Sequence, residues 1–548
     1  MGSLLQRFNE WEIQLLVLLS FVLQIFLFFT GRLRQRGAKF LSGTIWVAYL
    51  VADLIAVYAL GLLSEQEANA VTENQNLIAF FWAPFLLIHL GGQDTITAFS
   101  LEDNSLWLRH LLNLIVQVVL ALYVFWKSTA WRNVWLLVPG IFMFIAGIIK
   151  YGERTMALMY GNLQNISTGY NREEGNKFTH QELDREDGYS SIVCFSLDSA
   201  PIVRHLFFGF TLFQIPEGFR AATWMSYARS DEVQLAKLVK LVDVELGIIS
   251  VYRACLVIKV ITIRLTATIT FPANKCSARL IRVSWTLDSS KIIGWPEETP
   301  LWSNNMGQYN FLSYVGCEEE KPSSPPERVI RKMAKAVGKL FWLSKLLDTK
   351  YEQVDDDITE SFVQEIKAIL KSPFGGLTSG GKKQEWQHLG RFLRTLAREL
   401  SDNFSAVIIR LYISTIMHLS EVSSVDVETV GLVCVCRKLS NYMMYLLVTH
   451  PVMLQVTATS AESVLEGFEF LLEEASTLSL PEPCKETLEE MRDMWVRIII
   501  YAAGKSRPET HATQLARGGE FLTFIWLLMI RCSWRTYKEL RDDGFNSA

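Results

Sequence analysis

The chain has 548 residues, half of them apolar and a fifth charged, with a mean hydropathy of +0.19, a net charge of −4 and a pI near 6.1. Such a balance provides no basic field to gather nucleic acid and excludes that partner class. Eight cysteines lie singly apart from Cys434 and Cys436, which excludes a disulfide framework and offers no zinc-ligand spacing, so buried or idle thiols are expected.

The apolar weight lies at the N-terminal end, where residues 1–150 hold nine Lys/Arg and nine Asp/Glu against 44 and 48 downstream. Spans are expected at 13–29, 43–63, 77–90, 110–126 and 134–149, the first of them nearly continuous apolar sequence that approaches the roughly 20 residues a spanning helix needs. The first is followed by Gly31 to Arg36 and no small-residue cleavage site, so it reads as a retained span. The third is short and contains Pro84, which places its ends in the interface or beside other helices. Trp46, Trp82, Trp107, Trp126 and Trp135 stand near span ends as interfacial anchors do. Arg32, Arg34, Arg36, Lys39, Arg109, Lys150 and Arg154 flank one side, against Arg7, Lys127 and Arg132 on the other, so everything after the fifth span is expected in the cytosol. On that topology the sequons at Asn165 and Asn403 never meet the glycosylation machinery.

Three polar residues fall at similar depth within the spans: Asp53, Gln24 and Gln117. An ionised carboxylate there is expensive unless paired, hydrated or protonated. The set reads either as a proton- or ion-responsive cluster or as a neutral Asp53 bonded between helices. After the third span comes His89-Leu90-Gly91-Gly92-Gln93-Asp94, running on to Asn104. The glycines stop the helix and the polar residues satisfy backbone groups in a tight turn; the alternative, a cation held by His89, Asp94, Glu102 and Asp103, lacks ligand spacing.

That loop, continued by Leu106-Trp107-Leu108-Arg109-His110-Leu111-Leu112, resembles the signature of plant membrane proteins called the domain of unknown function 4220 family. Leu439-Ser440-Asn441-Tyr442-Met443-Met444-Tyr445-Leu446-Leu447 resembles that family's later helical motif. Trp495 to Gly519, above all Tyr501 to Pro508, resembles its C-terminal companion, domain of unknown function 594. The resemblance implies a plant multi-pass membrane protein, with a role in stress or defence, and brings no catalytic residue or cofactor. Similar proteins carry a further pair of spans between Glu245-Leu246-Gly247 and Gln308-Tyr309-Asn310. Here that interval is about sixty residues, and Arg253, Lys259 and Arg264 interrupt its apolar part, so segment 246–310 is expected to be strand-like or irregular rather than lipid-facing.

Downstream, residues 151–320 form an intermediate region and Lys321 to Pro326 a linker. From Glu327 to Leu347 the basic residues Arg328, Lys332, Lys335 and Lys339 recur at helical spacing, with Ile330, Met333, Val337, Leu340, Phe341 and the neighbouring Trp342 supplying apolar weight. This basic amphipathic helix suits an anionic lipid surface or calmodulin as partner, or equally a place on a folded core. The acidic Tyr351 to Glu360 reads as a link. Helical periods follow at 358–370, 386–400, 404–419, 430–448, 461–472, 485–503 and 520–534, making 358–548 a helical C-terminal domain; 521–530 is too short to span and suits a buried helix. Gly376 to Lys382 fits the glycines and lysine of a P-loop, yet Lys383 stands at the magnesium-ligating position and no apolar strand precedes it, so a glycine-rich loop is expected.

The fold class that follows is mainly α: an N-terminal multi-span transmembrane bundle (residues 1–150), an intermediate region (151–320), a linker and basic helix (321–357) and a helical cytosolic domain (358–548). The expected function is a non-enzymatic membrane-anchored interaction or signalling protein without cofactor; the alternative is a transporter or channel component built around Asp53.

Overall fold

The computed structural model describes residues 2–30, 39–69, 79–91, 107–127, 134–160, 236–247, 304–311, 340–371, 403–422, 426–456, 484–516 and 519–532. It adds the single positions 192, 195, 196, 199, 202, 203, 206, 207, 249, 329, 331–333, 336 and 389. The described residues are mainly helical. They fall into two compact units: residues 1–174 with 247–302 and 516–518, and residues 175–246 with 303–515 and 519–548.

Among its described residues the first unit contains five helices, α1 (Gly2–Thr30), α2 (Lys39–Asn69), α3 (Ala79–Gly91), α4 (Trp107–Lys127) and α5 (Val134–Tyr160). The shortest, α3, is apolar all round, and such a helix must be covered on every side. It packs on α1, α2, α4 and α5, with Ala83, Leu86, Leu87 and Leu90 buried. Its closest approach is to α5: a Cβ on Gly147 would stand 3.1 Å from the Leu87 side chain, so the glycine lets the two backbones draw together. Pro84 sits inside α3, where the surrounding helices hold the chain helical.

The outer faces are apolar too. Leu54 on α2 is 68% exposed, Leu112 on α4 62% and Phe142 on α5 69%, and Leu15, Leu18, Val22 and Ile25 on α1 are likewise open. Two of these helices, over Val47–Glu65 and Trp107–Trp126, are long and apolar enough to cross a membrane, and Glu12–Leu27 and Leu137–Gly152 are shorter apolar helices.

The second unit is built on α9 (Val427–Thr449) and α10 (Lys485–Lys505), which pack on each other. Around them stand α6 (Leu340–Leu347), α7 (Asp356–Lys371), α8 (Phe404–Ser420), α11 (Pro508–Ala516) and α12 (Phe521–Cys532). Side-chain caps define several starts: Asn403 accepts from the Ala406 amide at α8, Asp426 from Thr429 at α9 and the Cys484 sulfur from Thr487 at α10. Phe521 to Arg531 of α12 are all buried, as expected for a core helix. Here the apolar faces are covered by protein, in contrast to α1, α2, α4 and α5.

A two-stranded antiparallel ladder joins β1 (Asn305–Tyr309) to β2 (Thr349–Gln353), with Gly307 opposite Tyr351. This corrects the reading of Tyr351 to Glu360 as an acidic link: its first three residues are strand and Asp356 already opens α7. The reason is that β2 is an exposed edge strand, polar on both faces, while its partner β1 is the buried one. The expected helices at 386–400 and 461–472, the glycine-rich 376–382, Gly92, Gln93 and Asp94, and Arg253, Lys259 and Arg264 lie outside the described residues, apart from Leu389.

Candidate functional site

In the first unit the polar side chains meet between α1 and α3. Ser20 and Gln24 are one turn apart on α1 and share a face. The Ser20 hydroxyl lies 2.9 Å from His89 Nδ1, and the Gln24 amide donates to the His89 carbonyl at 3.0 Å. Phe85 crowds the imidazole at 4.2 Å between ring centroids and Phe21 stacks on it at 6.1 Å. His89, expected to begin a loop, is thus a buried helical residue bonded across two helices. Asp53 stands half-buried on α2. Gln117 is half-buried on α4, its Oε1 enclosed and without a hydrogen-bond partner. Of the three residues of like depth, Gln24 therefore works with Ser20 and His89. Ser20 was missed, although its spacing of four from Gln24 was available as a signal.

In the second unit the residues of the α9 motif form a connected buried network. Gln514 Nε2 lies 3.2 Å from His450 Nδ1, His450 Nε2 lies 3.0 Å from the Tyr445 hydroxyl, and that hydroxyl donates to Glu520 Oε1 at 2.6 Å. An amide donor on Nδ1 leaves the imidazole proton on Nε2, so the bonds run in one sense from Gln514 through His450 and Tyr445 to Glu520. Tyr442 accepts the Leu522 amide at 2.8 Å. Burial, reinforced by the charge of Glu520, holds both phenols well above their ordinary range, so they stay protonated and serve as hydrogen-bonding struts.

β1 and the two residues after it are clasped in turn by α9, α6 and α8. Gly307 lies directly on the Tyr445 ring, and Gln308 donates to the Lys438 carbonyl at 3.2 Å. The Tyr309 hydroxyl is 2.7 Å from Ser344 Oγ, while Tyr412 donates to Asn310 Oδ1 at 3.0 Å and accepts the Phe311 amide at 3.1 Å. In the same unit Arg531 of α12 forms a fully buried ion pair with Glu245, its Nε 3.0 Å from Oε2, and Ser199 also donates to that carboxylate. Burial raises the Glu245 pKa, and Arg531 and Ser199 pull against that rise. Phe207 packs on Trp526 at 4.8 Å, and His511 stacks on the same indole at 4.7 Å. Enclosure pushes the His511 imidazole down to about 3.

The basic helix ahead of α6 is described at Val329, Arg331, Lys332, Met333 and Ala336, all helical. Arg331 Nη1 bonds Asp348 at 3.2 Å, and Asp348 accepts from Ser344 at 2.6 Å. Val329 is 57% and Met333 66% exposed. Phe341, half-buried on α6, carries Lys345 Nζ 4.2 Å above its ring. Arg328, Lys335, Lys339 and the Trp342 side chain lie outside the described residues.

Among the described residues no group of three or more His, Cys, Asp or Glu is placed to hold a metal ion. The motif residues instead act on one another, with bonds that fix helix to helix and strand to helix. Residues 46–252 match the family model described as Domain of unknown function (DUF4220), and residues 482–532 match Protein of unknown function, DUF594. No curated protein and no solved structure matches the chain. Asp53, His89, Gln117 and Glu245 lie within the first match and Trp495, His511 and Arg531 within the second; Gln24, β1, the basic helix and the α9 tyrosines lie in neither. The chain thus carries a DUF4220 domain followed by a C-terminal DUF594 segment.

Proposed function

We propose that this is a multi-pass membrane protein whose second unit is a cytosolic, non-enzymatic platform for protein interaction or signalling. One observation carries the membrane part: α1, α2, α4 and α5 are covered with large apolar side chains on their outer faces, while helices of similar character in the second unit bury theirs. Water would penalise such a belt at about 25 cal/mol per Å² of apolar surface, and lipid removes that penalty. The flanking arginines and lysines favour the side bearing residues 151–548 as cytosolic. The interaction part is supported by how the polar side chains of the second unit are used, since Tyr442, Tyr445, Glu520, His450, Glu245 and Arg531 are all engaged in holding the core.

A glycosylation-reporter scan of the full chain tests the topology. Modification of acceptor sites introduced in the 70–78 and 128–133 connections, or of the native Asn165 or Asn403, tells the two orientations apart, and sugar on Asn165 or Asn403 would overturn the cytosolic placement. Recovery of the intact chain in the carbonate-soluble fraction would overturn membrane embedding itself. The Asp53→Asn chain in sealed vesicles separates the platform from a transport protein: an ion flux lost on that substitution would refute the platform.

A further inference from the structure

In the two-stranded ladder β1 is enclosed and β2 is the outer strand, with Lys350, Tyr351, Glu352 and Gln353 all exposed. The Val354 amide donates to the Asn304 carbonyl at 3.1 Å, so these two form a hydrogen-bonded pair, and in an antiparallel ladder every second pair is of that kind. Met306 with Glu352 and Gln308 with Lys350 are therefore the bonded pairs further along. The backbone N–H and C=O groups of Lys350 and Glu352 turn inward to β1, and those of Thr349, Tyr351 and Gln353 turn outward. Outward groups along an exposed strand are a template for one more strand. The edge is also held in shape: the Tyr351 ring packs edge-on against the buried Tyr445 at 6.0 Å, and Thr349 Oγ1 donates to the Lys345 carbonyl at 2.8 Å.

We infer that this edge pairs with the same edge of a second copy of the chain, β2 against β2, antiparallel about a two-fold axis at Tyr351. The strand reads Thr349-Lys350-Tyr351-Glu352-Gln353, and its charges choose both the occupant and the register. With Tyr351 opposite Tyr351, Lys350 faces Glu352 of the second copy and Glu352 faces its Lys350. Both are non-hydrogen-bonded pairs, in which Cα atoms stand about 4.5 Å apart and side chains come closest. The Tyr351–Tyr351 pair and the two Thr349–Gln353 pairs are made by the outward-turned residues, so each exchanges both of its backbone bonds. Moving the axis by one residue to either side keeps those bonds but sets Lys350 against Lys350 or Glu352 against Glu352, and like charges directly opposite are destabilising. Parallel in-register pairing also sets like on like. Within its own chain Glu352 stands 3.8 Å from Lys438, whose ammonium is closer to Asp355 at 2.5 Å, so the carboxylate is open to a second cation. The contact is short against the roughly 1,200–2,000 Å² of a standard interface, so the pairing is weak and concentration-dependent. It goes beyond the proposed membrane platform and does not rest on it.

Energy transfer between donor- and acceptor-labelled copies of the purified full chain, titrated in detergent, measures the pairing. Transfer in the parent should rise with protein concentration and vanish on dilution, and the Tyr351 and Gln353 amides should exchange more slowly as it rises, while those of Lys350 and Glu352 stay as they were. Lys350→Glu sets Glu against Glu and Glu352→Lys sets Lys against Lys, so each alone should raise the dissociation constant roughly tenfold or more. A Lys350→Glu population mixed with a Glu352→Lys population should pair as the parent does, because every facing pair is again opposite in sign. The double variant, Lys350→Glu with Glu352→Lys, should pair with itself for the same reason. Unchanged α10 amide exchange shows that each variant is folded. A parent without concentration-dependent transfer would overturn the inference, as would transfer indifferent to both single substitutions or not restored in the mixture. If the chain proves soluble without detergent, the membrane reading falls, and the same titration in buffer still decides the pairing.

Discussion

Gly307→Ala tests whether the α9 motif is the clasp of the second unit. A methyl there would stand inside the van der Waals envelope of Tyr445, against Cζ and both Cε atoms. The ring has nowhere to go: Tyr445 is fully buried, its hydroxyl is 2.6 Å from Glu520 Oε1 and 3.0 Å from His450 Nε2, and Tyr442 stacks beside it at 6.1 Å. Forcing a methyl into a packed core costs about 1–3 kcal/mol. Moving the ring aside would also break a hydrogen bond to a buried carboxylate, worth about 1.5–3 kcal/mol. The sum, roughly 2.5–6 kcal/mol, lowers the melting midpoint of a unit of this size by about 4–9 °C, at about 2.1 cal/mol/K of unfolding entropy per residue. Thermal unfolding of the purified full chain in detergent, followed by exchange at α9, measures the shift. Adding Tyr445→Leu should recover part of the loss, because two changes at one contact are not additive. A Gly307→Ala chain melting within about 1 °C of the parent would refute the reasoning.

Three further outcomes follow from the buried groups. Glu245→Ala leaves Arg531 charged and enclosed and should destabilise the second unit by about 3–5 kcal/mol, whereas Glu245→Leu with Arg531→Met should lose much less, as denaturant midpoints would show. His511 binds its proton less readily in the folded chain, at about 3, than in the unfolded chain. Its contribution to stability is intact above the ordinary histidine value near 6.5 and is lost as pH falls from there toward 3, by about 1.4 kcal/mol per unit; His511→Gln should flatten that part of a pH titration of unfolding. Cys434 is exposed, while burial pushes the Cys436 thiol up to about 12, with its sulfur 3.5 Å from the Leu488 carbonyl. Maleimide at pH 7.5 should label Cys434 within minutes and leave Cys436 unmodified until the chain is denatured, as peptide mass spectrometry would record.

What the sequence revealed depended on how far apart the partners lie. Periodicity alone placed α7 and α8 to within two residues, because an amphipathic helix writes its buried side into its own spacing. β2 left no such mark: Thr-Lys-Tyr-Glu-Gln has no apolar alternation, and its partner strand is some forty residues upstream. Nothing local announces that Glu245 meets Arg531, 286 residues later. Depth counting set Gln24 beside Asp53 and Gln117, whereas its bond to His89 depends on which helix neighbours α1, a matter of packing that spacing does not encode. The exposure of Met333 was equally hidden, since an apolar residue on an amphipathic helix reads as core until the core is seen to lie on the other side.

The ion pair also bears on where this protein can be divided. Sequence patterning suggests an independent C-terminal domain from about residue 358, and the DUF594 match begins later still. Yet α12, inside that match, is closed by Glu245 and Ser199 from within the DUF4220 match and by Phe207 against Trp526. The two matched segments thus contribute to one core. A chain beginning at residue 303 would keep α7 to α12 and β1 with β2 but leave Arg531 enclosed by apolar side chains without its carboxylate, at about 3–5 kcal/mol, and would uncover the Trp526 face as well. That loss is comparable to the whole stability of many domains. The fragment 303–548 should therefore aggregate or exchange its α12 amides rapidly, and adding Arg531→Met should restore more protection than it removes. Full-length levels of α12 protection in the unmodified fragment would show that the upstream segment is an accessory rather than a part of the core.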